Sequence, residues 1–248
     1  MTTAPTTVTA LLARLAASGG RPALTWYGDD GERIELSGAV VGNWVAKTVN
    51  LLCEEFDAGP GTDVVVDLPV GWRQVVWALA TARCGAALVQ VDPAATADPA
   101  ARHEDADVVI TSRPGAWTGT SAELVAVALP ALARRFDGDL PPGAVDAAAA
   151  VMTYGDAIGF DPAAGTDLPL DALIGSTDAG TAGGEAAPTG GRVLVRGDRD
   201  VAALLAEAVG VWSRGGSVVL VSARTTAELD ADAERLGRLV ATEQVTGV

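Results

Sequence analysis

Between the turn Gly59-Pro60-Gly61 and the stop at Pro69 the chain runs Asp63-Val64-Val65-Val66-Asp67-Leu68, a nearly unbroken β-branched stretch. A strand with one wetted face alternates apolar and polar residues, whereas one buried on both faces does not, and that second pattern belongs to parallel sheets covered by helices. The neighbouring segments agree with this. A helix is predicted over 71–84, a strand over 86–91, a turn at Asp92-Pro93 with Asp92 capping it, a short helix over 99–104 and a strand over 107–111. Strands alternating with helices of this length imply right-handed βαβ crossovers. The fold class is therefore α/β, a parallel-sheet βαβ architecture with helices on both faces.

The flanking segments extend the pattern. Residues 7–17 place Val8, Leu11, Leu12 and Leu15 on one helical face. Short strands over 23–27 and 33–36 surround Gly28-Asp29-Asp30-Gly31, a hairpin loop with two glycines for positive φ. Ser37 then caps a long helix to about Phe56, with Val41, Trp44, Val45, Thr48, Leu51 and Leu52 inward. Residues 123–129 read as a strand, 130–143 as an irregular connection and 144–153 as a helix. The Gly- and Pro-rich stretch 155–191 reads as loop, with a brief strand near Leu173-Ile174. Beyond it come a strand (192–195), a helix (198–212), a strand (216–222) and a single helix over 226–244 with Leu229, Leu236, Leu239 and Val240 inward. The expected organisation is an N-terminal α/β subdomain over 1–150 with an early hairpin, a flexible connection over 151–191, and a C-terminal βαβα segment over 192–248 that packs on the first.

Composition narrows the partners. The chain has 248 residues, 49% of them hydrophobic and 20% charged, so it can bury a core. Its net charge of -15 repels nucleic acid and anionic membrane surfaces unless cations cluster locally. Lys47 is the only lysine and His103 the only histidine, which leaves arginine to do almost all cationic work. No apolar stretch approaches the roughly 20 residues that span a bilayer, and no export signal opens the sequence, so a cytoplasmic address is expected. One histidine and two cysteines cannot supply the common zinc sets, and no metal site is expected. Cys53 and Cys84 fall on inward helix faces, which favours inert core thiols over a nucleophile paired with His103. Trp44, Trp72, Trp77 and Trp212 lie on helices as core or interface anchors, and Trp117, in a Gly/Thr-rich loop, is expected to be exposed.

Several segments together carry a resemblance. They are Ile34-Glu35-Leu36-Ser37 through Asn43-Trp44 and Leu51-Leu52, then 59–69, then Val75-Val76-Trp77-Ala78-Leu79-Ala80, then 85–93. This set looks like the amino-terminal third of the adenylate-forming superfamily, the AMP-binding enzymes that include acyl-CoA synthetases. Residues 102–111 extend the likeness, and Gly215-Gly216 through Val221, with a helix ending Glu243-Gln244-Val245-Thr246, is similar to the segment after the family's phosphate loop. The chain resembles the short actinobacterial forms that keep only the amino-terminal portion.

The resemblance implies where chemistry would reside, and this chain departs from it there. Carboxylate activation by ATP uses a Gly/Ser/Thr loop with a lysine, adenine and ribose motifs, and a late lysine, because developing charge needs donors already in place. The phosphate-loop slot, 175–185, is Gly- and Thr-rich but carries Asp178 and Glu185, with no lysine after it. It reads as a linker. Tyr154-Gly155-Asp156 mimics family signatures out of order and reads as coincidence, and Lys47 reads as a solvated or snorkelling side chain rather than a phosphate ligand. The expected function is a catalytically inactive binding or interaction module, a pseudoenzyme with no catalytic residues, working as a homodimer or with a protein partner. The alternative is a weak nucleotide- or acyl-binding protein with residual or partner-assisted ligase chemistry. No cofactor is required by the first reading. ATP or AMP would be the ligand of the second, with Thr177, Arg192 and Arg196 as candidate contacts and a cation such as Arg113, Arg192 or Arg196 near the carboxyl strand ends.

Overall fold

The structure, a computed structural model, describes residues 4–163, 168–170, 173 and 189–247. Along the chain come α1 (Val8–Ala17), β1 (Pro22–Tyr27), β2 (Arg33–Ser37), α2 (Gly38–Phe56), β3 (Asp63–Asp67), α3 (Trp72–Cys84) and β4 (Ala87–Val91). Then follow β5 (Val108–Thr111), β6 (Glu123–Ala126), β7 (Val145–Asp146), α4 (Ala147–Ala150), β8 (Arg192–Gly197), α5 (Val201–Ser213), β9 (Ser217–Ser222), α6 (Ala223–Ala231) and α7 (Ala233–Thr242). Two compact units interleave. One holds Met1–Gly42, Val70–Trp72 and Pro169–Val248; the other holds Asn43–Pro69 and Arg73–Leu168. The chain thus passes between units near 42, 69, 72 and 168.

The second unit carries a five-stranded, all-parallel sheet in the order β4-β3-β5-β6-β7. β3 is an interior strand between β4 and β5, and Val64, Val65, Val66 and Asp67 are all buried, as the unbroken β-branched run demands. Val65, Val91, Val109 and Leu124 share one core cluster with Trp117. Trp117 was expected in solvent; it is fully buried, because the 3-10 turn Pro114–Trp117 carries its indole under the sheet. The helix predicted over 144–153 is shorter: Val145–Asp146 pairs with β6, and Asp146 then caps α4 by accepting from the Ala148 and Ala149 amides. Asp92 accepts from the Ala94 amide at 2.9 Å, the turn cap read from the sequence.

The first unit holds a four-stranded sheet in the order β2-β1-β9-β8. The hairpin pairs antiparallel within itself, while β1 runs parallel to β9 in the register Leu24↔Val218 to Tyr27↔Val221. The C-terminal segment therefore does not merely pack against the hairpin; it completes its sheet. Of the two loop glycines only Gly31 takes positive φ, at 81°. Leu194, Val219 and Val221 pack with Leu229, Leu236 and Leu239 on one face. The alternate residues Val193, Val195, Val218 and Leu220 are also buried, so both faces are covered. The single helix predicted over 226–244 is two, α6 and α7, separated at Asp232 (φ -137°, ψ 91°), whose carboxylate caps the second through the Arg235 amide. Leu173 has helical backbone where a brief strand was expected. Among the described residues no helix is long and apolar enough to cross a membrane.

Candidate functional site

Open α/β sheets present ligands at the carboxyl ends of their strands. In the five-stranded sheet the side chains at the carboxyl ends of β3 and β5 bond to one another and to the turn after β5. Asp67, the last residue of β3, is fully buried, and its carboxylate accepts from Thr111 Oγ1 (2.8 Å), Trp117 Nε1 (2.8 Å) and the Arg113 fork (2.8 and 2.9 Å). Arg113 also donates to the Thr96 carbonyl at 2.8 Å. The cation sought there in Arg113 is present but neutralised, and the arrangement is a bidentate lock.

Lys47, expected as a solvated or snorkelling side chain, is likewise engaged. Its ammonium donates to the Tyr154 carbonyl and lies 2.8 Å from Asp156, with the side chain only 18% exposed. One helical turn on, Asn50 donates to the Gly155 and Ala157 carbonyls and accepts from the Gly159 amide. The Tyr154-Gly155-Asp156 segment is thus the clasped partner of α2. The Tyr154 hydroxyl donates to Glu55, and burial together with that carboxylate pushes its pKa up to about 12.

The two thiols are buried and face each other, Cys53 Sγ to Cys84 Sγ at 3.6 Å. The Cys53 neighbour and burial push the Cys84 pKa far up, which keeps it a neutral thiol. Neither thiol is hydrogen-bonded to His103 among the described residues; that ring lies 6.3 Å from the Trp117 ring.

Of the three candidate ligand contacts, Thr177 lies outside the described residues, and the other two sit at different places on β8. Arg196 pairs with the exposed Asp230. Arg192, expected near a carboxyl strand end, opens β8 at its amino end, because the strand starts there. Its guanidinium donates to Thr25 Oγ1 (2.8 Å), Ser217 Oγ (3.3 Å) and the Glu243 carboxylate. Glu243 is the hub. It is 5% exposed, and it also accepts from Arg33 Nε at 2.9 Å and from the Tyr27 hydroxyl. Burial alone would raise its pKa, but the bonds from Arg33, Tyr27 and Arg192 outweigh that and hold it at about 2. Nothing in the local sequence signals this hub, since its donors come from β1, β2 and β8.

The sign of the resulting pH dependence is fixed. A carboxylate depressed from 4.5 to about 2 in the folded chain stabilises it above pH 4.5, and the contribution is lost as pH falls through the folded value. At most about 3 kcal/mol is involved. Thermal unfolding should therefore show a melting temperature that drops between about pH 4.5 and 2, and Glu243→Gln should flatten that limb while lowering stability at neutral pH. An unchanged acid limb in the variant would contradict the assignment.

Arg192 and Glu243 belong to the wall of a cavity of about 1260 Å3 in the first unit. Arg14, Arg21, Arg33 and Arg214 line it as well, with Glu35 the other acid. Trp212 contributes to the wall and is anchored by its indole N–H on the Ala23 carbonyl at 2.9 Å.

With this geometry in hand, the fold can be placed. It is the fold found in the amino-terminal region of acyl-CoA synthetases. The N-terminal domain of FACL13 from Mycobacterium tuberculosis matches 98% of this chain and 62% of its own length at a TM-score of 0.65 and 16% identity. Acetoacetyl-CoA synthetase from Streptomyces lividans matches 88% of this chain and 38% of its own (TM-score 0.64, 17% identity), and a Brucella canis acyl-CoA synthetase 91% and 45% (0.63, 16%). At these identities the shared property is the fold, which bears out the resemblance carried by the scaffold motifs. In sequence the chain is 36% identical over 164 residues to a "TIGR03089 family protein" of Mycobacterium tuberculosis (strain ATCC 25618 / H37Rv). That alignment spans 63% of this chain and 64% of the relative, just under two thirds of the relative's length. No family model matches the chain.

Proposed function

We propose that this chain is a cytoplasmic binding module built on the acyl-CoA synthetase amino-terminal fold, and that it does not adenylate carboxylic acids by itself. One observation carries the reading. The chain's only lysine, Lys47, holds the Tyr154 carbonyl and Asp156, so no lysine of this chain is available to a transferred phosphoryl group. The Asp67–Arg113 lock at the carboxyl edge of the parallel sheet supports it, since Arg113 already has a buried counter-ion there. Losing a charge-assisted contact to a phosphate costs about 1.5–3 kcal/mol, and an adenylating site uses several at once.

The test is ATP–pyrophosphate exchange with magnesium and a panel of short-, medium- and long-chain carboxylic acids. No exchange above the protein-free rate is the expected result; acid-dependent exchange that scales with chain concentration would overturn it. The proposal includes a protein partner, either a second copy or another subunit. A monomeric light-scattering mass at micromolar concentration would remove the homodimer.

A further inference from the structure

The geometry points to a small-polyanion site in the arginine-lined cavity of the unit built on β2-β1-β9-β8. Five arginines, Arg14, Arg21, Arg33, Arg192 and Arg214, share this one wall with two glutamates, a local excess of three positive charges in a chain whose net charge is -15. A surface so acidic gives no general reason for cations to gather, and a chain that repels anions at long range needs a local cluster to hold one. Arginine is the right residue for it. Its planar fork offers five donors and matches carboxylate and phosphate oxygens two at a time.

The cavity has room for a small molecule, its volume lying above the usual range of about 300–1,000 Å3. Its walls combine those cations with Pro5, Leu15, Pro22 and Trp212. They suit a compound with two or more phosphoryl or carboxyl groups on an organic body. Glu243 orients the site rather than competing for it, because both its oxygens are already engaged by Tyr27, Arg33 and Arg192. The cavity opens at the amino ends of β8 and β9, where Arg192, Gly216 and Ser217 lie. It therefore stands whether or not the chain activates carboxylates.

The experiment is isothermal titration of the full chain at constant ionic strength with pyrophosphate, AMP and citrate, with sulfate as a simple dianion. Saturable one-to-one binding of at least one polyanion, weakened by added salt, is expected. Pyrophosphate and citrate separate phosphoryl from carboxyl recognition, and AMP against pyrophosphate tests the apolar wall. Arg21→Gln and Arg214→Gln should each weaken binding by about tenfold, with Arg214→Lys falling between. Arg21 is exposed and, among the described residues, its side chain holds a single 3.4 Å bond to the Ser18 carbonyl, so its replacement leaves folding intact. Arg196→Gln, outside the cavity, controls for net charge and should change nothing. No saturable binding of any of the anions would overturn the site, and so would an Arg196→Gln effect as large as that of Arg214→Gln. Neither result touches the exchange assay.

Discussion

Asp67→Ala is expected to destabilise the chain by about 3–5 kcal/mol, the cost of removing one partner from a buried ion pair. The carboxylate accepts four hydrogen bonds, from Thr111 Oγ1, Trp117 Nε1 and the Arg113 fork, at 2.8–2.9 Å. Its loss leaves an indole N–H and a hydroxyl without an acceptor inside the sheet, and strands a guanidinium that is 26% exposed. Urea unfolding followed by circular dichroism measures the effect. Asp67→Leu combined with Arg113→Met should recover part of the loss, because replacing both charges removes the stranded one. A loss below about 1 kcal/mol for the single variant would mean that Arg113 finds solvent and that the lock contributes little.

Asp67 also shows what a sequence discloses and what it withholds. Its strand was legible, since Val64, Val65 and Val66 need burial on both faces and Pro69 marks the stop. Its role was not, because the partners sit 44, 46 and 50 residues away on two other segments. Trp117 was misplaced for the same reason. A Gly/Thr-rich setting predicts exposure, and only the long-range acceptor makes burial of the indole N–H tolerable. Lys47 repeats the pattern with partners beyond position 150.

The first unit withholds more. Pairing of Leu24 with Val218 joins segments almost 200 residues apart, and no local periodicity encodes it. The break at Asp232 was concealed because Leu229, Leu236 and Leu239 keep helical spacing across it, although Asp232 is itself a strong capping residue. Of the candidate site, Arg192 was singled out as a cation near a carboxyl strand end, whereas it opens β8 at the amino end. Arg14, Arg21, Arg33 and Arg214 were not singled out, because only the tertiary fold gathers them into one wall.

Gly38→Ala reverses the sign that sequence reasoning assigns to it. Alanine is the better helix former by about 1 kcal/mol, and Gly38 is the first residue of a 19-residue helix, so propensity alone predicts stabilisation. In the folded chain a Cβ at Gly38 would lie 1.8 Å from the Leu15 carbonyl oxygen and 2.5 Å from its carbon. Those are backbone atoms near the C-terminal end of α1, and the same carbonyl accepts from the Ser18 amide and hydroxyl that close that helix. Relief requires either α1 or the start of α2 to shift, the second of which disturbs the Ser37 cap on the Val40 amide. A forced fit of this kind costs about 3 kcal/mol. Gly42, one turn further on, has no atom within 4 Å of its virtual Cβ and lies in the same helix. Gly42→Ala is therefore expected to stabilise by about 0.5–1 kcal/mol. Opposite signs for the two substitutions in thermal and urea unfolding would establish that the close approach of α1 to α2 fixes residue 38 as glycine. Stabilisation by both would show that the two helices meet more loosely than the Leu15–Gly38 contact requires.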